Sequence, residues 1–272
     1  MNLIQALILG LVQGATEYIP VSSSAHLVLV PWFLGWPNAS FQFEVLVQWG
    51  TLVGVFVFFW SDLWAVGKGV VDGLIQRKPL ATFEAKLGWL IIAATIPAVV
   101  LGFFFKDFFE STYDSPIIAG GFLILTAILL VIAESFGSRS KALTDIGWLD
   151  AIIIGFWQTL AFLPGISRSG STIGGAVLQG FDRTAAARFS FFLSIPALLG
   201  AGILALVDLL EAGTLLEELP AITVGFVAAA ISGYICIRWL LTYLQRNSLY
   251  VFAAYCVFMS LTTIIVYLTG LR

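Results

Sequence analysis

Six stretches of the chain, at about 41 to 60, 86 to 105, 116 to 134, 184 to 207, 219 to 241 and 248 to 270, stay apolar over a long run. A helix needs ~20 such residues to cross a bilayer core, so each predicts one transmembrane span. Two more apolar segments, about 3 to 34 and 147 to 180, are broken midway by Pro20-Val21-Ser22-Ser23-Ser24 and by Pro164-Gly165-Ile166-Ser167-Arg168-Ser169. Irregular backbone at membrane depth is tolerated only where protein encloses it or it lines a wet cavity. These two segments therefore read as re-entrant helical hairpins. The expected fold is an all-α polytopic membrane protein with six spans and two hairpins.

The interrupted segments also resemble each other. At an offset of 145, Gly10 matches Gly155, Gln13 matches Gln158, Ser22 matches Ser167 and Ser24 matches Ser169, while Phe43 and Gly54 match Phe189 and Gly200 in the span that follows. One membrane domain over residues 1–272 then consists of repeat 1 (about 1–134), a linker (about 135–146) and repeat 2 (about 147–272). Each repeat is a hairpin followed by three spans. Three is odd, so the second repeat enters from the other side, which is an inverted-topology arrangement.

Composition narrows the setting. The chain is 60% hydrophobic and 11% charged with a mean hydropathy of +1.00, whereas an ordinary soluble domain has about 25% charged residues. The net charge of -3 has no basic stripe to meet phosphates along a duplex, which excludes nucleic acid as a partner. Cys236 and Cys256 lie inside apolar runs and have no metal-binding spacing. The first residues have no positive n-region, so they are taken as part of the fold and not as a signal peptide.

Basic residues set the orientation. Lys68, Arg77, Lys78 and Lys86 follow the first span, Arg139 and Lys141 the third, and Arg238 and Arg246 flank the loop after the fifth; these ends are expected on the cytoplasmic side. Lys106 and Arg272 stand at the opposite ends among Asp107, Glu110, Asp114, Asp208, Glu211, Glu217 and Glu218. Those ends, both termini and the first hairpin are expected to face outward. Gly120, Gly121, Gly225 and Gly233 offer small-residue surfaces for helix contacts or a homodimer.

Ionisable groups inside spans are costly and mark function by default. Glu17 follows Gln13 by four residues, placing a carboxylate and a carboxamide on one helix face, suited to a divalent cation or a water. His26, the only histidine, stands three residues after Ser23 and four after Ser22. Ser23 as nucleophile with His26 as its base is the simplest activated pair, with direct attack by His26 the alternative. In the second break, Ser167, Arg168, Ser169, Gly170, Ser171 and Thr172 combine hydroxyls, helix N-terminal N–H groups and a guanidinium fork into an anion cradle, with Ser22 as a further head-group-binding hydroxyl from the first break. Neither GxxxxGK[ST] nor GxGxxG is present, so a soluble nucleotide fits poorly. An Arg168–Glu17 ion pair is the structural alternative to a free cradle.

Both segments closely resemble the undecaprenyl pyrophosphate phosphatase family of bacterial bacitracin-resistance membrane phosphatases. QGATEYIPVSSSAH at 13–26 is similar to its (E/Q)xxxE box with the following Ser-Ser-x-x-His, and PGISRSGST at 164–172 to its PGxSRSxxT. The resemblance implies roles for Gln13, Glu17, Ser23, His26, Ser167, Arg168, Ser169 and Thr172. It implies Mg2+ or Ca2+ as cofactor, with Glu17 and Gln13 on the metal side, although Gln13 lacks the charge of the Glu found in many members. It further implies a bacterial inner-membrane location, a site open to the periplasmic side, and a C55 isoprenyl pyrophosphate lipid as substrate, hydrolysed to recycle the carrier for cell-wall synthesis. Inverted repeats with broken helices also suit a transporter or flippase, which remains the rival expectation. No ring of like charges or carbonyl motifs marks a channel.

Overall fold

The computed structural model describes residues 1–104 and 115–271, which form eleven α-helices and no strand. Lys106, Asp107, Glu110, Asp114 and Arg272, expected on the outer side, lie outside the described residues. In chain order the helices are α1 (Leu3–Glu17), α2 (Ser23–Leu34), α3 (Phe41–Phe58), α4 (Trp60–Ile75), α5 (Phe83–Phe104), α6 (Pro116–Phe136), α7 (Trp148–Thr159), α8 (Arg168–Leu178), α9 (Arg183–Ala212), α10 (Leu215–Leu244) and α11 (Tyr250–Leu268).

Six of them, α3, α5, α6, α9, α10 and α11, are long and apolar enough to cross a membrane, and all six coincide with the predicted stretches. The helices α9 and α10 run 30 residues each, about 45 Å at 1.5 Å per residue, and so extend past a ~30 Å hydrocarbon core. Asp208, Glu211, Glu217 and Glu218 cluster around their connecting corner at Gly213-Thr214, where water can solvate them. By contrast α1, α2, α7 and α8 have 15, 12, 12 and 11 residues. They are too short to cross.

The segment between α3 and α5 corrects the sequence reading. Instead of a loop carrying Lys68, it is the sixteen-residue helix α4. Its Val66 and Val70 pack against Gly88 of α5, and Arg188 of α9 reaches back to Asp62 at 3.0 Å. Trp60, Trp64, Val71, Leu74 and Ile75 form an exposed apolar stripe on its other side. Charges at Asp62, Lys68 and Asp72 and glycines at Gly67, Gly69 and Gly73 hide this three-sided pattern from a hydropathy scan.

Packing crosses between the two halves of the chain. The helix α1 lies against α10, α7 lies against α5, and α6 lies against α11. Two glycines make the first two crossings possible. A Cβ at Gly10 would stand 2.3 Å from the Gly225 carbonyl oxygen, and one at Gly155 would stand 2.2 Å from that of Ala94. Among the glycines expected to serve helix contacts, Gly120 meets Thr263, Gly225 meets Phe43 and Val47, and Gly233 meets Thr51, all within the chain. Gly121 alone of those four meets nothing.

The basic end is tied by a buried carboxylate. Glu134, 4% exposed at the end of α6, accepts from Arg139, from Arg183 at the start of α9 through both Nε and Nη2, and from the Leu249 N–H before α11. Three connections thus converge on one side chain. Beside it the linker and the α8–α9 loop exchange backbone bonds, Lys141 N–H to the Gly180 carbonyl at 2.8 Å and Asp182 N–H to the Lys141 carbonyl at 2.9 Å. Glu134→Gln is expected to cost about 3 kcal/mol, the low side for a broken buried pair because both arginines reach solvent. Thermal melting in detergent measures it.

Candidate active site

The helix α1 stops at Glu17 and α2 starts at Ser23, with Tyr18 to Ser22 as a tight turn between them. Ser22 takes φ 68, ψ 94, a region few non-glycine residues enter, and such strain persists only where surroundings enforce it. Its hydroxyl caps α2 by accepting from the Ala25 N–H at 3.3 Å, and it lies 3.1 Å from the Ser24 hydroxyl. In the second break α7 ends in a 3₁₀ turn at Leu160–Phe162, and α8 begins at Arg168. There the Ser167 hydroxyl accepts from the Gly170 N–H at 3.0 Å and lies 3.1 Å from that of Ser169. One capping pattern thus recurs 145 residues apart. The second turn depends on Gly165, whose φ of +102 and 2.2 Å Cβ approach to the Ala119 carbonyl leave no room for a side chain. Thr126 of α6 steadies it, accepting from the Ser167 N–H and donating to the Gly165 carbonyl, both at 3.0 Å.

The two turns touch. Arg168 Nη2 donates to Glu17 Oε1 at 2.8 Å, and the Ser169 hydroxyl donates to the Ile19 carbonyl at 3.2 Å. The Glu17 and Arg168 side chains are 4% and 12% exposed, so this pair sits well inside the protein. The other carboxylate oxygen, Oε2, accepts from the Gln13 amide at 2.7 Å and from the Ser23 hydroxyl at 2.7 Å. Glu17 therefore joins Gln13, Ser23 and Arg168 directly. On the far side of Arg168, its Nη1 donates to the Ser190 carbonyl at 3.4 Å, and the Thr172 and Ser190 hydroxyls are 2.6 Å apart.

His26 is placed differently from its expected partnership with Ser23. Its Nδ1 lies 2.7 Å from the Ser22 carbonyl and its Nε2 lies 2.7 Å from the hydroxyl of Tyr255 on α11. Both ring nitrogens are engaged. Ser23 and His26 share a helix, yet the preceding turn brings the Glu17 carboxylate to Ser23, and the imidazole turns back to its own helix start. Four residues in or beside this arrangement carried no sequence signal: Thr126, Ser190, Tyr255 and Cys256, whose thiol approaches the Pro20 carbonyl at 3.9 Å. Each is an ordinary small, hydroxylated or aromatic residue within a long apolar helix.

Buried polar atoms near these turns without a hydrogen-bond partner in the protein include Gln13 Oε1, Arg168 Nε and the Ser171 hydroxyl. Native proteins rarely leave such groups unpaired, so they suit a ligand. The oxygen set at Glu17 and Gln13 fits a hard cation such as Mg2+, which takes one or two carboxylates plus substrate oxygens and waters. A denser all-protein metal cage of His, Cys, Asp and Glu is absent among the described residues.

Comparison with known proteins decides the family. The family described as bacitracin resistance protein BacA matches residues 6–262. The chain belongs to that family. Relatives span it end to end: an undecaprenyl-diphosphatase of Chlorobaculum parvum is 45% identical over 99% of both chains. One from Thermomicrobium roseum is 41% identical over 98% of both, and one from Myxococcus xanthus is 39% identical over 99% of this chain and 91% of that relative. As a BacA family member, the protein carries six apolar helices long enough to span a membrane.

Proposed function

We propose that this protein hydrolyses undecaprenyl pyrophosphate to undecaprenyl phosphate and inorganic phosphate. The observation that carries the reading is the chain of contacts from Ser23 through Glu17 to Arg168, which places a hydroxyl, a carboxylate and a guanidinium from two Ser-rich turns against each other. Full-length relatives named undecaprenyl-diphosphatase point the same way and do not favour transport as its activity. Resistance to bacitracin and supply of the lipid carrier for the cell wall follow from that reaction.

Arg168 and the α8 N-terminus would take the terminal phosphoryl group. Phosphoryl transfer is mostly positioning and charge stabilisation, so a cradle of N–H groups, hydroxyls and one guanidinium is the right kind of tool. An incoming pyrophosphate competes with Glu17 for Arg168. As the guanidinium turns to the substrate, Glu17 Oε2 keeps its hydrogen bond from the Ser23 hydroxyl and is the base within reach of that proton. Ser23 Oγ attacks the terminal phosphorus, the bridging P–O bond breaks, and undecaprenyl phosphate leaves. Water then attacks the phosphoserine and gives a proton to His26, while Glu17 returns the proton it took to the leaving Ser23 oxygen. This reassigns the base for Ser23 from His26 to Glu17. Glu17 and Gln13 would hold a divalent cation, which would neutralise charge on the pyrophosphate oxygens.

The architecture proposed with it is a pair of re-entrant hairpins in inverted repeats of about 1–134 and 147–272. The recurring Ser caps support this, as does the crossing of each hairpin's first helix onto the second span of the other half. The helix α4 has no counterpart between α9 and α10. Basic residues at one end and the acidic α9–α10 corner at the other support a cytoplasmic basic end and a site opening to the periplasm.

The test is phosphate release from undecaprenyl pyrophosphate by purified protein in detergent. Chelating divalent cations is expected to lower release at least about tenfold, and adding Mg2+ or Ca2+ to restore it. Failure to release phosphate with either cation present sinks the phosphatase reading.

A further inference from the structure

We propose that Tyr255 is a positioning residue that fixes the tautomer and aim of the His26 imidazole. It comes from α11, 229 residues away in sequence, and belongs to neither Ser-rich turn.

A backbone carbonyl can only accept, so the 2.7 Å contact between His26 Nδ1 and the Ser22 carbonyl requires the proton to be on Nδ1. In the neutral ring Nε2 is then the acceptor, and the Tyr255 hydroxyl at 2.7 Å donates to it. The two rings are near-parallel, 8° between planes with centroids 5.6 Å apart. One contact selects the tautomer and the other holds the lone pair's direction. The residues carrying them are unequally buried: His26 is 3% exposed and Tyr255 is 38% exposed. Nε2 therefore points from the interior toward the partly exposed Tyr255 on α11.

Registration of α11 supports a positioning role. The neighbouring residue, Cys256, directs its thiol at the Pro20 carbonyl inside the first turn, and the Leu249 N–H before the helix is held by Glu134. The helix that delivers Tyr255 is thus fixed at two points. Without the hydroxyl, Nε2 would be a buried acceptor with no donor, and the ring would be free to turn about its remaining anchor. The orientation of an imidazole by the partner of its second nitrogen is a general device for setting proton transfer.

The kinetic half of this inference rests on the phosphatase reading; the structural half does not. His26 is the only histidine in the chain, so imidazole labelled with 15N gives a single-site NMR spectrum. The expected result is one protonated nitrogen and one hydrogen-bonded imine nitrogen in the unmodified protein. In Tyr255→Phe, which keeps the ring and loses the hydroxyl, the imine resonance should move toward that of a free nitrogen or a second tautomer should appear. Turnover should fall about tenfold with KM changed by less than about twofold, because the phosphate cradle is untouched. In a His26→Ala background the same substitution should have no further effect on kcat. Ring resonances unchanged by Tyr255→Phe would overturn the proposal, as would an undiminished kcat loss in the double variant. If the protein released no phosphate at all, the phosphatase reading would fall and the nitrogen spectrum would still decide this one.

Discussion

Arg168→Ala is expected to lower the rate of phosphate release about a thousandfold, the range seen when a single charged stabiliser of a phosphoryl or oxyanion transition state is removed. The guanidinium is the cationic side chain of the anion cradle, and in the unliganded protein it also neutralises a carboxylate that is 5% exposed. Its removal therefore acts twice, on substrate and on folding, because stranding one member of a buried pair costs about 3–5 kcal/mol. Arg168→Lys separates the two effects. It keeps the charge beside Glu17 and loses the planar fork, so the protein should remain folded while turnover falls by about ten- to a hundredfold. Normal turnover in Arg168→Ala would remove the cradle from the mechanism altogether.

Ser23→Ala should be equally damaging, with a loss of about a thousandfold or more, as expected of an enzyme that forms a covalent intermediate without its nucleophile. A chemical trap sharpens this. After a brief reaction with substrate labelled in the terminal phosphate, His26→Ala should accumulate an acid-stable label on Ser23, because its second step is impaired while its first is not. Ser23→Ala should accumulate none. In the unmodified protein, an acid-labile label would mean that His26 itself is phosphorylated, and the imidazole would then replace Ser23 as the attacking group.

The sequence made the six spans plain because nothing except lipid solvates twenty apolar residues in a row. The two breaks were equally legible, since Pro, Ser and Arg inside apolar runs have few explanations. Partnerships were harder. Ser23 lies six residues from Glu17 and three from His26, and along a continuous helix the nearer residue would win. The turn at Tyr18–Ser22, with Ser22 at φ 68, doubles the chain back and gives Ser23 to the carboxylate. Tyr255 was invisible for a different reason. A tyrosine in an apolar helix ordinarily marks a lipid interface, and only the packing of α11 over the first turn turns its hydroxyl toward His26. The helix α4 escaped because its apolar stripe is interleaved with three charges and three glycines, which leave no unbroken apolar run of span length.

The buried contact between Arg168 and Glu17 sets a rule for inhibitors of this protein. A competitor must exchange with an internal carboxylate before it can be bound, so its head group is judged on charge ahead of shape. A dianionic phosphonate or bisphosphonate can displace Glu17 from the guanidinium; a neutral amide or sulfonamide of the same outline leaves the pair closed and gains little from the cradle. Potency across such a series should follow the negative charge carried at assay pH, and lengthening the lipid tail should not rescue an uncharged head.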